Sequence, residues 1–441
     1  MFDFQLQVAK TFLENKKSLK LTHAQVVERQ HQQFRKLVNF VAKHSPYYQE
    51  IIEKHNIDIQ SCQLADFPIL QKTDVLENFD RLVTNPKITK EKIIGFLTNS
   101  ENPNDLFLDQ YFVTHTSGTS GQVGYYLYSE AEMAKGLAYL LNQNQSGFSL
   151  FKRMAYVAAA KGHFAGVTIA STPQKLYPLY QAVKTLDINS PFEEILSCLN
   201  QLQPTALSGY AFIIRKLAEA QANGRLKISP DLIETGGEPL LEKDREYIQS
   251  IFQVPILNTY ASAEFLLLGL SRSEFEGMYL MESNHIFEVG TDQMLVTNLY
   301  NYTLPLIRYQ MDDRLEVVEG KNKLMPFTKV KNIVGRDEDM PYFLNEEGEE
   351  DYIHYTAIGE LRAKLLKRFQ IEVVDQETFI FKAVLKDGLD SDQRERAQAE
   401  IRQKLESVLA RKKMSNVMFD VQEVDSIGVD PETGKYRLVV D

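Results

Sequence analysis

The residues best suited to chemistry fall in glycine-punctuated turns. Thr114-His115-Thr116-Ser117-Gly118-Thr119-Ser120-Gly121 is short and hydroxyl-rich, and an alternating run after it (Val123, Tyr125, Leu127) predicts a strand. Glycine lets a backbone take positive φ and approach a ligand closely, and exposed N–H groups and hydroxyls can wrap an anion. The loop therefore suits a triphosphate, although the same composition is ordinary for a surface turn. The Gly-Lys-Ser/Thr ending and following helix of a P-loop NTPase are absent, which excludes that mechanism. Two more turns, Thr235-Gly236-Gly237-Glu238-Pro239 and Tyr260-Ala261-Ser262-Ala263-Glu264, bring carboxylates and an aromatic ring to the ends of predicted strands.

The elements that must position these turns are legible from periodicity. The first hundred residues read as helical. Thr22 and Gln25 predict a capping box, with Val26, Val27, Phe34, Leu37, Val38 and Val41 forming one apolar stripe behind it. Ser45-Pro46 should end that helix, because the residue before proline avoids helical geometry. Ser129 and Glu132 offer a second capping box. From 154 onward strand and helix alternate: strands at 154–160, 206–208, 232–234 and 255–260, helices at 211–221 and 240–252. That rhythm implies a largely parallel sheet with ligands at its carboxyl ends, where the glycine-rich turns fall. Short strands at 286–289, 294–299 and 315–318 predict an antiparallel, barrel-like part. A strand at 379–385, an amphipathic helix at 391–411 and a strand at 417–421 predict a separate α+β unit. The expected class is α/β: a large multi-sheet N-terminal domain (parallel sheets with helices plus a small β-barrel-like part) over 1–335, and a small mobile C-terminal α+β domain over 336–441.

Composition narrows the class of function. With 441 residues, 44% hydrophobic and 25% charged, the chain can bury more than one core. A net charge of −11 argues against a nucleic-acid or anionic-membrane binder. Cys62 and Cys198 are the only cysteines, without disulfide or zinc-ligand spacing, which fits a reducing compartment. The N-terminal stretch lacks the apolar core of a secretory signal, and no apolar run approaches the roughly 20 residues of a membrane span. A cytoplasmic protein with neither nucleic-acid nor membrane partners is expected.

Taken in order, the turns form a series: Ser117-Gly118-Thr119-Ser120-Gly121; Gly236-Gly237-Glu238-Pro239-Leu240; Tyr260-Ala261-Ser262-Ala263-Glu264; Pro305-Leu306-Ile307-Arg308-Tyr309-Gln310-Met311-Asp312-Asp313; Gly335-Arg336; and Gly434-Lys435-Tyr436-Arg437. This series resembles the adenylate-forming superfamily of acyl-CoA synthetases and adenylation domains over nearly the whole chain. Ser45-Pro46-Tyr47-Tyr48, the segment from Phe67-Pro68 to Lys72, and Thr433-Gly434-Lys435-Tyr436-Arg437 resemble its phenylacetate–CoA ligase branch. The resemblance implies ATP, Mg²⁺ and CoA as co-substrates. It implies that Ser117, Gly118, Thr119, Ser120 and Gly121 hold the phosphates and that Gly237, Glu238 and Pro239 line the adenine. Tyr260 would stack on the purine, Asp313 would bind the ribose with Arg336 beside it, and Glu264 would hold Mg²⁺. Lys435 would act catalytically with Glu264, neutralising charge in the adenylation step, and Glu338 and Asp339 would form the hinge of the small domain.

Several positions depart from that pattern. Gln122-Val123 stand where Lys-Pro is usual, Ala261 and Ala263 replace a glycine and a threonine, and Asp312 replaces the glycine before the ribose aspartate. Candidates for the acyl pocket are His163, Phe164, Tyr210, Phe212 and Ala261, with an aryl or other compact apolar acid as the expected substrate. Three functions stay open: an acid–CoA ligase, an adenylating enzyme that serves an acyl or aryl carrier protein or another acceptor, and a nucleotide- or acyl-binding module without turnover. A monomer and a homodimer are equally compatible with the sequence.

Overall fold

The strand–helix rhythm of the middle of the chain folds as the parallel half of an eight-stranded sheet. Its order is Lys329–Val330, Met278–Leu280, Leu266–Arg272, Ile256–Ser262, Leu232–Gly236, Ala206–Gly209, Met154–Ala158 and Lys184–Asp187. The five strands from Ile256–Ser262 to Lys184–Asp187 are parallel, and the other three join antiparallel. The computed structural model describes residues 2–116, 123–143, 153–160, 162–171, 183–272, 274–275, 277–290, 293–311, 313, 315–318, 324–331, 340–354, 357, 365–428 and 437–440.

Strands buried on both faces need apolar residues throughout, and Ala155, Val157, Leu207, Ile233 and Ile256 fill the layer between this sheet and its helices. Helices Phe192–Leu202, Ala211–Ala222 and Glu242–Phe252 follow the strands in the expected rhythm. The fold is α/β, with a large multi-sheet domain and a smaller C-terminal domain.

The N-terminal helices pack into a second core. Helix His23–His44 has the expected capping box: Gln25 N–H donates to Thr22 Oγ1 at 3.3 Å and Thr22 N–H to Gln25 Oε1 at 2.8 Å. Val26, Phe34, Leu37, Val38 and Val41 are buried as predicted. Val27 is only half-buried, while polar Gln30 is buried and donates to the Glu282 and His285 carbonyls. Pro46 does more than stop this helix. It opens the next one, Pro46–Lys54, and the Ser45 hydroxyl donates to the Arg81 and Leu82 carbonyls.

Strands His285–Val289, Met294–Asn298 and Tyr309–Met311 form an antiparallel sheet. The strand predicted at 315–318 is reduced, among the described residues, to a bridge between Val317 and Val330, because its partner, Lys329–Val330, is two residues long. In the C-terminal domain, Leu366–Asp375 and Thr378–Leu385 form a hairpin joined in parallel by Met418–Glu423 and Val439–Val440. Helix Ser391–Arg411 covers one face with Ala397, Ile401, Leu405 and Val408.

Between the two domains lies a hairpin, Tyr342–Leu344 with Glu350–Tyr352. Side chains on a strand alternate in direction. Here Tyr352 packs with the parallel-sheet core, while Phe343 and Ile353 pack with the C-terminal core.

Candidate active site

Strand Ile256–Ser262 carries Tyr260 to its carboxyl end, and the chain reverses through Glu264 into Leu266–Arg272. Hydroxyls from the neighbouring hairpin, Tyr111–His115 with Tyr125–Ser129, hold this reversal. Thr114 Oγ1 and Tyr128 Oη donate to the Ala263 carbonyl at 3.0 and 2.8 Å, and Tyr300 Oη donates to the Phe265 carbonyl at 2.9 Å. The same hairpin frames the glycine-rich loop: Thr116 N–H donates to the Gly124 carbonyl, and Gly124 N–H to Thr116 Oγ1. These two bonds close the base of the loop.

Glu264 is buried, with Tyr309 Oη donating to its Oε1 at 3.5 Å and Tyr126 Oη 3.3 Å from Tyr309 Oη. Burial pushes its carboxyl above the usual carboxylate range, and the Lys72 ammonium and the Tyr126 and Ser262 hydroxyls oppose that rise. Lys72 heads the helix Lys72–Glu77. One strand turn away, Tyr260 Oη donates to Asp313 Oδ2 at 2.7 Å, and burial keeps Tyr260 a phenol.

The neighbouring strand ends in the Gly236-Gly237-Glu238 turn. A Cβ at Gly236 would collide with Thr259 Oγ1. Gly237 sits at φ +78°, where a Cβ would also lie 2.9 Å from the Tyr210 ring, so both positions require glycine. The Glu238 carboxylate turns into the protein. Its Oε2 accepts from Phe212 N–H at 3.0 Å, and its Oε1 lies 2.8 Å from His354 Nε2. The Tyr210 ring stacks on His354, with centroids 5.3 Å apart and planes 17° apart, and Phe212 packs edge-on against Tyr352.

Of the other expected acyl-pocket residues, Phe164 lies against the His115 ring at 4.5 Å. His163 turns toward the N-terminal part, its Nε2 3.0 Å from Ser100 Oγ, which donates to Asp105 Oδ2. Ala261 is half-buried at a register shift beside Tyr260. Tyr260, Glu264 and Asp313 thus gather around one strand end, and Gly237, Glu238, Tyr210 and Phe212 around the next. Ser117, Gly118, Thr119, Ser120, Gly121, Arg336, Glu338, Asp339 and Lys435 lie outside the described residues. Among the described residues no trio of His, Cys, Asp or Glu gathers to hold a metal, and no helix is long and apolar enough to cross a membrane.

No protein-family model matches the chain. Protein CapK of Staphylococcus aureus is 25% identical over 341 residues, which make up 71% of this chain and 68% of that protein. Among solved structures, 2-hydroxyisobutyryl-CoA ligase with 2-HIB-AMP and CoA in the thioesterification state is similar at a TM-score of 0.60 and 16% identity, over 97% of this chain and 91% of that one. Its open conformation is similar at a TM-score of 0.56 and 15% identity, over 93% and 90%. The chain has the fold of 2-hydroxyisobutyryl-CoA ligase. Within this ligase fold, four residues join the site that sequence reasoning did not single out. Lys72 and Tyr309 sit inside motifs quoted above but carry no role there. Tyr126 is hidden in an alternating strand, and His354 has no local signature.

Proposed function

We propose that this protein activates a carboxylic acid with ATP and passes the acyl group to the thiol of CoA. The observation that carries the reading is the Tyr260–Asp313 contact beside buried Glu264, at the carboxyl end of a parallel strand in a ligase fold. In the first step an oxygen of the acid attacks the α-phosphorus and the bond to pyrophosphate breaks. In the second the CoA sulfur attacks the acyl carbon, AMP leaves, and the thiol proton passes to solvent.

Asp313 would accept the ribose hydroxyls, with Tyr260, oriented by that carboxylate, facing the purine and Arg336 alongside. The backbone of Gly237, Glu238 and Pro239 would line the adenine edge, since the Glu238 carboxylate is turned away. Ser117, Thr119 and Ser120, with the amides of Gly118 and Gly121, would hold the β- and γ-phosphates. Lys72 stands where its charge acts on Glu264, and would supply the cation that Gln122 does not. Lys435 would offset charge at the α-phosphate, and the segment at Glu338 and Asp339 would be the hinge about which the small domain turns between the two steps.

A buried carboxylate flanked by hydroxyls, with its ionisation opposed by burial, fits Mg²⁺ held mainly by phosphates and water. Bound there, the ion would supply electrostatic stabilisation of the leaving pyrophosphate. Tyr210, Phe212, Phe164 and Ala261 would bound a compact apolar or aryl acid, in keeping with the phenylacetate–CoA ligase branch, with His163, turned to Ser100, behind them.

The test is pyrophosphate release with ATP and Mg²⁺ across aryl, fatty and amino acids, with and without CoA. Release with one acid that rises on adding CoA is expected. Release indifferent to CoA would assign a carrier protein or another acceptor, and silence with ATP still bound would assign a binding module. Lys435→Ala should lose adenylation while keeping nucleotide binding.

A further inference from the structure

Lys412 ends the helix face of the C-terminal domain, yet its side chain is 1% exposed and lies against the large domain. Its Nζ donates to the Ser190 carbonyl at 2.9 Å and to Asp351 at 3.0 Å, and it sits 4.3 Å over the Tyr352 ring. Asp351 belongs to the hairpin between the domains, and its other oxygen accepts from Phe192 N–H of the large domain. A buried ion pair of this kind resists separation, because each charge left behind would lie in a poorly solvating interior. The flanking Lys413–Glu194 pair is half-exposed and adds little.

Three residues beyond Asp351 the chain reaches the site. Tyr352 enters the parallel-sheet core and its Oη donates to the Ile188 carbonyl. His354, 1% exposed, then meets Glu238 and stacks on Tyr210, whose Cδ1 and Cε1 lie close against Gly237. The short segment from Asp351 to His354 thus joins a buried ion pair that seats the C-terminal domain to a ring that braces the Gly237-Glu238 turn.

We propose that the 342–354 segment couples the two: the Lys412–Asp351 pair seats the C-terminal domain, and His354 is the positioning residue that makes the shape of the Gly237-Glu238 turn depend on that seating. The coupling rests on these contacts alone. Its consequence, that nucleotide affinity changes as the small domain turns, rests on the function proposed above.

The experiment is amide hydrogen exchange by mass spectrometry on the full chain without substrates. Peptides covering 188–192, 210–214 and 235–241 are compared in His354→Ala, in His354→Gln, in Lys412→Met made together with Asp351→Asn, and in the combination of that pair with His354→Ala. Neutralising both members of the pair leaves no buried charge without its partner. Exchange over 235–241 should rise about tenfold in His354→Ala and by a similar factor in the Lys412/Asp351 variant, and the combination should be no faster than either. His354→Gln, which keeps a donor toward Glu238, should restore most of the protection. The proposal is overturned if the Lys412/Asp351 variant frees 188–192 while 235–241 keeps its wild-type rate, or if the two increments multiply in the combination. Either result stands whether or not pyrophosphate release is found.

Discussion

Glu264 is held where ionisation is costly, and that cost has a measurable sign. Its carboxyl binds a proton more tightly in the folded chain than in the unfolded one, so its contribution to stability falls as pH rises from its ordinary value, 4.5, through the raised one. Glu264→Gln should therefore raise Tm above the usual carboxylate range and leave it unchanged in acid; a difference independent of pH would remove burial as the cause. With Mg²⁺ and ATP present, wild type should gain more stability than the variant. Tyr260→Phe removes the hydroxyl that donates to Asp313 Oδ2 at 2.7 Å. It should weaken AMP binding about tenfold, the scale of one hydrogen bond to a charged group; calorimetry giving unchanged affinity would separate this pair from the ribose. Lys72→Ala should raise the KM for ATP more than it lowers kcat if the cation binds phosphate in the ground state. At this scale Tyr260, Glu264 and Asp313 were named through the family resemblance of the turns that carry them, and the contact of Tyr260 with Asp313 is what the structure adds. Lys72 and His354 were not named, since the first acts across 192 positions and the second across 116, distances that no local pattern encodes.

Elements with their own local chemistry were readable, and those that borrow it from elsewhere were not. The Ser129–Glu132 capping box forms as expected, with Ser129 N–H donating to Glu132 Oε2. The same carboxylate also accepts from Tyr302 N–H, Thr303 N–H and the Thr303 hydroxyl, fixing the loop before the Tyr309 strand. Polar Gln30 interrupts an apolar stripe for a similar reason, since it satisfies two carbonyls of the segment that bears His285. His285 opens the strand His285–Val289, buried among Phe265, Phe287 and Tyr300. Burial pushes its imidazole down to about 4. The unfolded chain takes up this proton near pH 6.5 and the folded chain near 4, so stability is lost as pH falls through that window. The loss is about 3 kcal/mol at most. His285→Phe should flatten the decline between those two pH values in denaturant titrations; an unchanged slope would place the acid sensitivity elsewhere.

The molecule is assembled around several apolar cores. The parallel sheet, the N-terminal helices and the C-terminal sheet each bury their own apolar cluster. Phe381, fully buried and stacked on Phe369 in the C-terminal cluster, tests that separation. Phe381→Ala should cost the C-terminal sheet about 3–5 kcal/mol, with amide protection in the strands from Met154–Ala158 to Ile256–Ser262 retained; equal loss everywhere would mean a single cooperative unit. The sequence by itself determined the α/β class, the strand–helix alternation, the capping boxes and the turns at strand ends, because hydrophobic period, glycine and cap chemistry act over a few residues. Only the tertiary structure decided that three antiparallel strands extend the parallel sheet, that Tyr260 meets Asp313, that Glu238 points inward to His354, and that Lys412 seats one domain on the other. Those are pairings between residues far apart in the chain, selected by which buried polar groups must find partners once the cores have closed.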